Sequence, residues 1–297
     1  MSLRIATRGS GLALAQAGQV AEMLGGAELV EVSSDGEPGD KARFVRGVER
    51  ALLDGEAEIG VHSAKDLPGE LTEGLTLAAV PPREDPRDAW VGAGASLDDV
   101  PEGARVGTAS LRRRAQLLAA RPDLEVGELH GNVDTRLRKL AEGEFDAIVL
   151  AVAGLRRLGR AEEVAFPIPT EAMTPAAGQG SLVLQVRDGD EAALAAVEGL
   201  VDAPALRELT AERAAVALLG ATCNSPLGVH ASIDPRSSQM RIDAFVGLPD
   251  GGEWLRDSVA GDGAEPTLLG AELAKRLLDT GARDLLDRAE TWSSRRV

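Results

Sequence analysis

The stretch FVRGVERALLDGEAEIGVHSAKDLP (44–68) decides how this chain folds. It reads as a helix over 44–53, a stop at Gly55, and a short apolar strand over 59–61 that runs into the polar loop VHSAKDLP. LRIATR (3–8) gives the same alternation from the strand side: it ends at the turn GSG, after which LALAQAGQVAEML takes helical spacing at Ala13, Ala17, Val20 and Leu24. Strands alternating with helices predict an α/β fold with a parallel sheet.

The same stretch has an echo further on. ALLDGEAEIGVHSAKDL (51–67) and KLAEGEFDAIVLAVAGL (139–155) match at a constant offset of 88, pairing Leu52 with Leu140, Asp54 with Glu142, Gly55 with Gly143, Glu56 with Glu144, Glu58 with Asp146 and Leu67 with Leu155. Two similar lobes are expected. VPPREDPRDAW (80–90) reads as the crossing from one to the other and FPIPTEAMTPAAGQG (166–180) as the return. The boundaries this gives are 1–82 with 178–199 for the first lobe and 85–175 for the second. Beyond a helix over 204–220, the strand-like runs MRIDAFVGL and WLRDSVAG and a closing helix over 268–286 predict a small C-terminal α+β domain spanning 203–297. Two crossings between two lobes suggest a hinged pair with a cleft. Ligands of parallel sheets bind outside the carboxyl ends of the strands, so the loops after strands are where function is expected.

Charge narrows the partners. The 297 residues hold 48 acidic and 32 basic side chains, a net charge of −16, which argues against nucleic acid or an anionic membrane surface. A basic run followed by an apolar segment is missing from the start, and no window approaches 18 uninterrupted apolar residues, so a soluble, cytoplasmic protein is expected. One cysteine and three scattered histidines (His62, His130, His230) offer no metal-ligand spacing and no internal disulfide. Only four lysines occur (Lys41, Lys65, Lys139, Lys275), so arginine carries nearly all the positive charge and its local clusters stand out as anion sites.

Four loops after strands are rich in polar groups: ATRGSG (6–11), VHSAKDLP (61–68), VGTASLRRRAQL (106–117) and LHGNVDTRLRKL (129–140). In the third, Thr108 and Ser110 precede a helix beginning near Leu111, where backbone N–H groups and hydroxyls can meet an anion while Arg112 and Arg113 add charge. In the fourth, Asn132 and Thr135 do the same beside Arg136 and Arg138. Several such loops suit a substrate with many carboxylates, although any one alone reads first as a helix cap with solvated arginines. GSGLAL lacks the spacing of a phosphate or dinucleotide loop. Asp66, flanked by Ser63 and Lys65, is either a loop-end acid or an ionised carboxylate able to bind N–H donors and stabilise a cation. Cys223, in the turn GATCNSPLG (220–228), is open between an inert small side chain, a redox thiol and a nucleophile. No histidine or acid adjoins it to form a hydrolase triad.

Taken in order, IATRGSGLALAQA, FVRGVERALLDGEAEIGVHSAKDLP, REDPRDAWV, VGTASLRRRAQL, GNVDTRLRKL, DAIVLAVAGLRRLG, PAAGQGSLVLQ, LTAERA and TCNSPLG resemble the successive blocks of the porphobilinogen deaminase (hydroxymethylbilane synthase) family over nearly the whole chain. The resemblance implies two hinged lobes like those of type II periplasmic binding proteins plus a C-terminal α/β domain. It implies a monomeric transferase of porphyrin and heme biosynthesis that condenses four porphobilinogen molecules, releasing ammonia, on a dipyrromethane cofactor held by a thioether to Cys223. The linear hydroxymethylbilane is then freed by hydrolysis. Asp66 corresponds to the catalytic carboxylate, which binds pyrrole N–H groups and stabilises the azafulvene cation. Ser63, Lys65, Thr108, Ser110, Arg112, Arg113 and Arg136 correspond to groups holding cofactor carboxylates. Arg8, Gln16, Phe44, His130, Arg157 and Gln179 fall on the substrate side. Two departures are evident: His130 stands where the family has arginine, leaving Arg138 as a possible substitute, and VSSDGEPGDKARF (32–44) is shorter than the family's cleft loop, with only Lys41 and Phe44 aligning.

Overall fold

A computed structural model describes residues 3–33, 43–69, 71–222 and 224–294. The elements of the first part are β1 (Arg4–Arg8), α1 (Gly11–Met23), β2 (Glu28–Val32), α2 (Arg43–Leu53), β3 (Ile59–Ser63) and β4 (Leu75–Ala79). Then come β5 (Asp88–Gly92), β6 (Arg105–Gly107), α3 (Leu111–Ala120), β7 (Glu125–Gly127), α4 (Val133–Ala141), β8 (Ala147–Ala151), α5 (Val152–Arg157) and β9 (Phe166–Ile168). β10 (Leu182–Arg187), α6 (Glu191–Val197), α7 (Ala203–Leu219), β11 (Leu227–Ile233), β12 (Gln239–Gly247), β13 (Trp254–Asp262), α8 (Pro266–Asp279) and α9 (Ala282–Ser294) complete the described chain.

The fold is α/β with two five-stranded sheets and a separate three-stranded C-terminal sheet. The five-stranded sheets run β2-β1-β3-β10-β4 and β7-β6-β8-β5-β9, one pattern used twice. In each, three parallel strands are followed by an inserted antiparallel one, β10 or β5, and an outer strand paired antiparallel to it. The expected parallel sheet is present in β2-β1-β3 and β7-β6-β8, and each sheet is made mixed by its two further antiparallel strands. Local alternation of strand and helix reports on chain neighbours, whereas β10 reaches β3 from more than a hundred residues away, pairing Leu182 with Ser63. At the offset of 88, Ile59 falls on Ala147 and Ser63 on Ala151, so the echo superposes β3 on β8 end to end. Both preceding helices stop at a glycine in the left-handed region, Gly55 at φ 75° and Gly143 at φ 79°, where other residues are strained.

Burial on both faces explains why β3 and β8 read as short apolar runs. In the first sheet Ile5, Ile59, Leu182 and Leu184 meet the α1 stripe of Ala17, Val20 and Ala21, while Ala6 and Leu75 on the other face meet Val48, Ala51 and Leu52 of α2. In the second, Trp90, Val106 and Val149 share one core and Ala89, Ile148 and Leu150 the other. The antiparallel β11-β12-β13 sheet buries one face under α7, α8 and α9. The single closing helix expected from sequence is two helices, α8 and α9, separated at Gly281.

By their contacts the described residues form two compact units. One runs up to Glu84 and resumes over Gly180–Leu206; the other is Asp85–Gln179 with the chain from Arg207 onward. Among the described residues, no helix is long and apolar enough to cross a membrane.

Candidate active site

In the first unit, the candidate residues gather at the carboxyl ends of β1 and β3. Parallel pairing of Ile5 with Ile59 and Ala6 with Gly60 brings Arg8, the last residue of β1, alongside the end of β3. Gln16, buried on α1, donates Nε2 to Ser63 Oγ at 2.8 Å and ties the helix to the polar loop. Lys65 and Asp66 follow in a single helical turn, Ala64–Asp66, both half-buried. Two backbone bonds hold that turn, Ala64 N–H to Ser181 O at 3.0 Å and Leu67 N–H to Ala64 O at 3.2 Å, with Leu67 buried behind it. Asp66 is thus carried on a pinned support next to a cation, Lys65.

The second unit holds a buried cationic corner. Ser110 caps α3 by accepting from Arg113 N–H, and Thr108 Oγ1 accepts from Ser110 N–H at 3.2 Å. Arg112 and Arg113, which sequence reading left as either solvated or holding the carboxylates of a cofactor, are only 4% and 6% exposed. Their forks converge on Asp88 at the start of β5, itself 0% exposed: Arg112 donates at 2.7 and 3.1 Å and Arg113 Nε at 2.9 Å. Gln179 Nε2 adds a bond to the same carboxylate at 3.1 Å. Burial alone would raise the Asp88 carboxyl, but the two guanidiniums hold it well below the usual carboxylate range. Burial lowers the Arg113 pKa.

Two guanidiniums against one carboxylate leave a surplus positive charge in a place with little water. Arg136, half-buried on α4, donates Nε to Gly131 O at 2.8 Å, and its pKa falls to about 10, first from burial and then from the charge of Arg113. Burial and the charge of Arg113 both make the positive charge of Arg136 costly, an arrangement that a bound carboxylate would relieve.

Other candidate positions are less concentrated. His130 is exposed, its Nε2 lying 3.0 Å from Glu128 Oε2, and Arg138 is exposed and bonded to Glu142 at 2.6 Å. Each therefore has a carboxylate beside it. Arg157 is half-buried at the end of α5. The Phe44 side chain, Lys41 and Cys223 lie outside the described residues. Flanking Cys223, the turn is closed by Thr222 N–H to Ser225 Oγ at 3.0 Å and Ser225 N–H to Thr222 O at 3.0 Å.

Sequence reading missed Asp88, Gln116 and His62. Asp88 sits inside the quoted block REDPRDAWV, where an acid opening an apolar strand was the available signal. Gln116 is buried on α3 and meets both backbone polar groups of Thr174, accepting from its N–H at 2.7 Å and donating to its C=O at 2.9 Å. His62 is buried on β3 with Nε2 unpartnered among the described residues. Burial lowers its pKa to about 4, with Gln185 acting in the opposite direction and the Arg8 charge lowering it further.

That shift sets a pH dependence. Unfolded histidine titrates near 6.5, so as pH falls below that value the unfolded chain takes up a proton that folded His62 refuses until about pH 4. Stability is fully retained above pH 6.5 and falls by about 3 kcal/mol on approaching pH 4. Urea unfolding followed from pH 7.5 to 4.5 should show this loss in the parent chain, and His62→Gln should lack that part of the slope; parallel profiles would refute it.

Fold and site together define an α/β protein with a pinned acidic turn in one unit and a buried arginine corner in the other. A family model described as porphobilinogen deaminase, dipyromethane cofactor binding domain, matches residues 3–195, and the C-terminal domain model of the same family matches residues 206–279. Curated proteins named porphobilinogen deaminase are similar along most of their length. That of Syntrophus aciditrophicus is 44% identical, covering 97% of this chain and 99% of its own, and that of Thermus thermophilus is 42% identical, covering 95% and 97%. That of Campylobacter concisus is 47% identical over 85% of this chain and 82% of its own. The chain belongs to the porphobilinogen deaminase family. Among solved structures it is similar to a periplasmic solute-binding protein of Desulfovibrio salexigens, at 12% identity over 68% of this chain and 72% of that one, with a TM-score of 0.40.

Proposed function

We propose that this chain is a hydroxymethylbilane synthase: a transferase of tetrapyrrole biosynthesis that joins four porphobilinogen molecules head to tail, releasing ammonia at each step and the linear product by hydrolysis. The observation that carries this reading is the arginine corner within a family-matched chain. Arg112, Arg113 and Arg136 present more positive charge than Asp88 balances, and every pyrrole unit brings an acetate and a propionate. By their correspondence with the family's blocks and by their chemistry as anion partners, these residues with Thr108 and Ser110, and separately Ser63 and Lys65, would bind the carboxylates of a cofactor, dipyrromethane, tethered through a thioether to Cys223. When bound, that group supplies the pyrrole carbon to which the first substrate is joined.

The chain's own residues do the rest. Asp66 accepts hydrogen bonds from pyrrole N–H groups and stabilises positive charge as ammonia departs, which a fixed carboxylate does best where water is scarce. Gln16 holds Ser63 and so steadies the loop on which Asp66 stands. Arg8, Phe44, Arg157 and Gln179 correspond to the family's substrate-side positions. His130, paired with Glu128, offers a carboxylate less than the family's arginine does. Three functional parts are assigned: 1–82 with 178–199, 85–175, and 203–297. The enzyme acts in the cytoplasm as a monomer without nucleic acid.

Intact-protein mass tests the cofactor. The parent chain exposed to porphobilinogen should weigh more than its sequence and give a pyrrole colour with Ehrlich's reagent, and Cys223→Ala should do neither. A parent chain of bare-sequence mass and no colour would overturn the reading.

A further inference from the structure

We infer that Glu212 is a positioning residue for the porphobilinogen reaction: it locks the 176–179 segment to β11 and thereby holds Gln179 and the Asp88–arginine group in register with the strand that follows the cofactor-bearing turn. Glu212 sits mid-way along α7 and is 0% exposed. A carboxylate in such a place is costly unless its oxygens are filled. One oxygen, Oε2, accepts from Gly178 N–H at 2.5 Å; the other, Oε1, accepts from Ala231 N–H on β11 at 2.8 Å. His230 Nδ1 lies 3.5 Å from that second oxygen.

Each end leads somewhere. Next to Gly178, Gln179 donates to Pro86 O at 2.7 Å and to Asp88 Oδ1 at 3.1 Å, the carboxylate that gathers Arg112 and Arg113. On the other side β11 begins at Leu227, four residues past Cys223. Between them the same segment is pressed on β11 a second time. Val229 N–H donates to Pro175 O at 2.9 Å, and a Cβ at Gly228 would lie 2.5 Å from Thr174 O, so only glycine allows that approach. Thr174 O in turn accepts from Arg112 at 2.8 Å. One buried side chain therefore joins two backbone segments whose far ends are the anion-holding arginines and the turn of the tether. Its role is therefore to position these segments.

The chemistry of the carboxylate makes the test sharp. A carboxylate accepts on both oxygens, whereas glutamine keeps one acceptor and replaces the other by an NH2 group, so one of the two backbone N–H groups must face a donor. The inference rests on the proposed roles of Cys223 and the arginines, so parent, Glu212→Gln, Glu212→Asp and Cys223→Ala chains are compared. In Glu212→Gln, amide exchange at Gly178 or Ala231 should quicken about tenfold while β12 amides keep their parent rates, the fold-change matching loss of one hydrogen bond. Mass should show cofactor loading as in the parent, and KM for porphobilinogen should rise about tenfold with kcat within about threefold. Glu212→Asp, one methylene shorter with its charge kept, should fall between. Faster exchange with parent KM, or parent exchange in both variants, would overturn the positioning role, as would failure of both variants to fold, which would make Glu212 a purely structural group. If instead Cys223→Ala still gains the cofactor mass, the underlying reading fails, whatever Glu212 does.

Discussion

Asp66→Ala is expected to lower ammonia release by at least about 10²-fold while intact mass still shows the cofactor on the chain. The support for Asp66 does not depend on its side chain: the turn is held by backbone bonds to Ser181 and Ala64 and by buried Leu67. Removing the carboxylate should therefore leave the turn and the neighbouring Ser63 and Lys65 in place, and lose the fixed negative charge that meets the substrate's N–H groups and developing cation. Asp66→Asn separates shape from charge, since it keeps the outline and an accepting oxygen; it should remain severely impaired. Stopped assays of ammonia and mass on the same samples check both halves. An Asp66→Ala chain that turns over near the parent rate would remove this residue from the chemistry.

Asp88→Asn should be the most destabilising of the substitutions at the site, costing about 3–5 kcal/mol. The parent corner is tolerable because one carboxylate answers two guanidiniums that have little access to water. With asparagine there, Arg112 and Arg113 repel each other inside the protein with no anion between them. At roughly 2–4 °C per kcal/mol for a large domain, melting should fall by about 6–20 °C. Asp243→Asn, which breaks the exposed ion pair with Arg241, is the control and should cost under about 1 kcal/mol. An Asp88→Asn chain that melts within a couple of degrees of the parent would show that the two arginines find other compensation. A high concentration of a polycarboxylate should restore part of the loss if the corner takes carboxylates.

Much of this architecture is legible along the chain because its signals are local. Helix, glycine and strand occur within twenty residues of one another in 44–63, and their repetition at an offset of 88 announces the second sheet. Ser110 reads correctly as a cap because its partner, Arg113 N–H, is three residues away. What escapes is whatever depends on distant partners. Nothing in LVLQVR says that it enters a sheet antiparallel between β3 and β4. Asp88, Gln116 and Glu212 are polar letters in motifs that invite a surface reading, yet all three are buried, by partners 24, 58 and 34 residues off. The arginines of α3 were legible as a charge cluster, but not as one already half-neutralised from within.

The placement of β10 also bears on how the chain is made. Residues 4–79 supply four strands of the first sheet, but two of them, β3 and β4, are joined only through β10, which begins at Leu182. On the ribosome that sheet must wait, open, while another hundred residues are synthesised. The second sheet draws all its strands from Asp88 to Ile168 and is complete as soon as they emerge. Synthesis from the N-terminus, which ordinarily lets the first part fold first, here gives the middle of the chain the earlier chance to close. An interrupted message ending before Leu182 would release a nascent chain with a finished centre and an unpaired strand edge at its start, the kind of surface that chaperones hold.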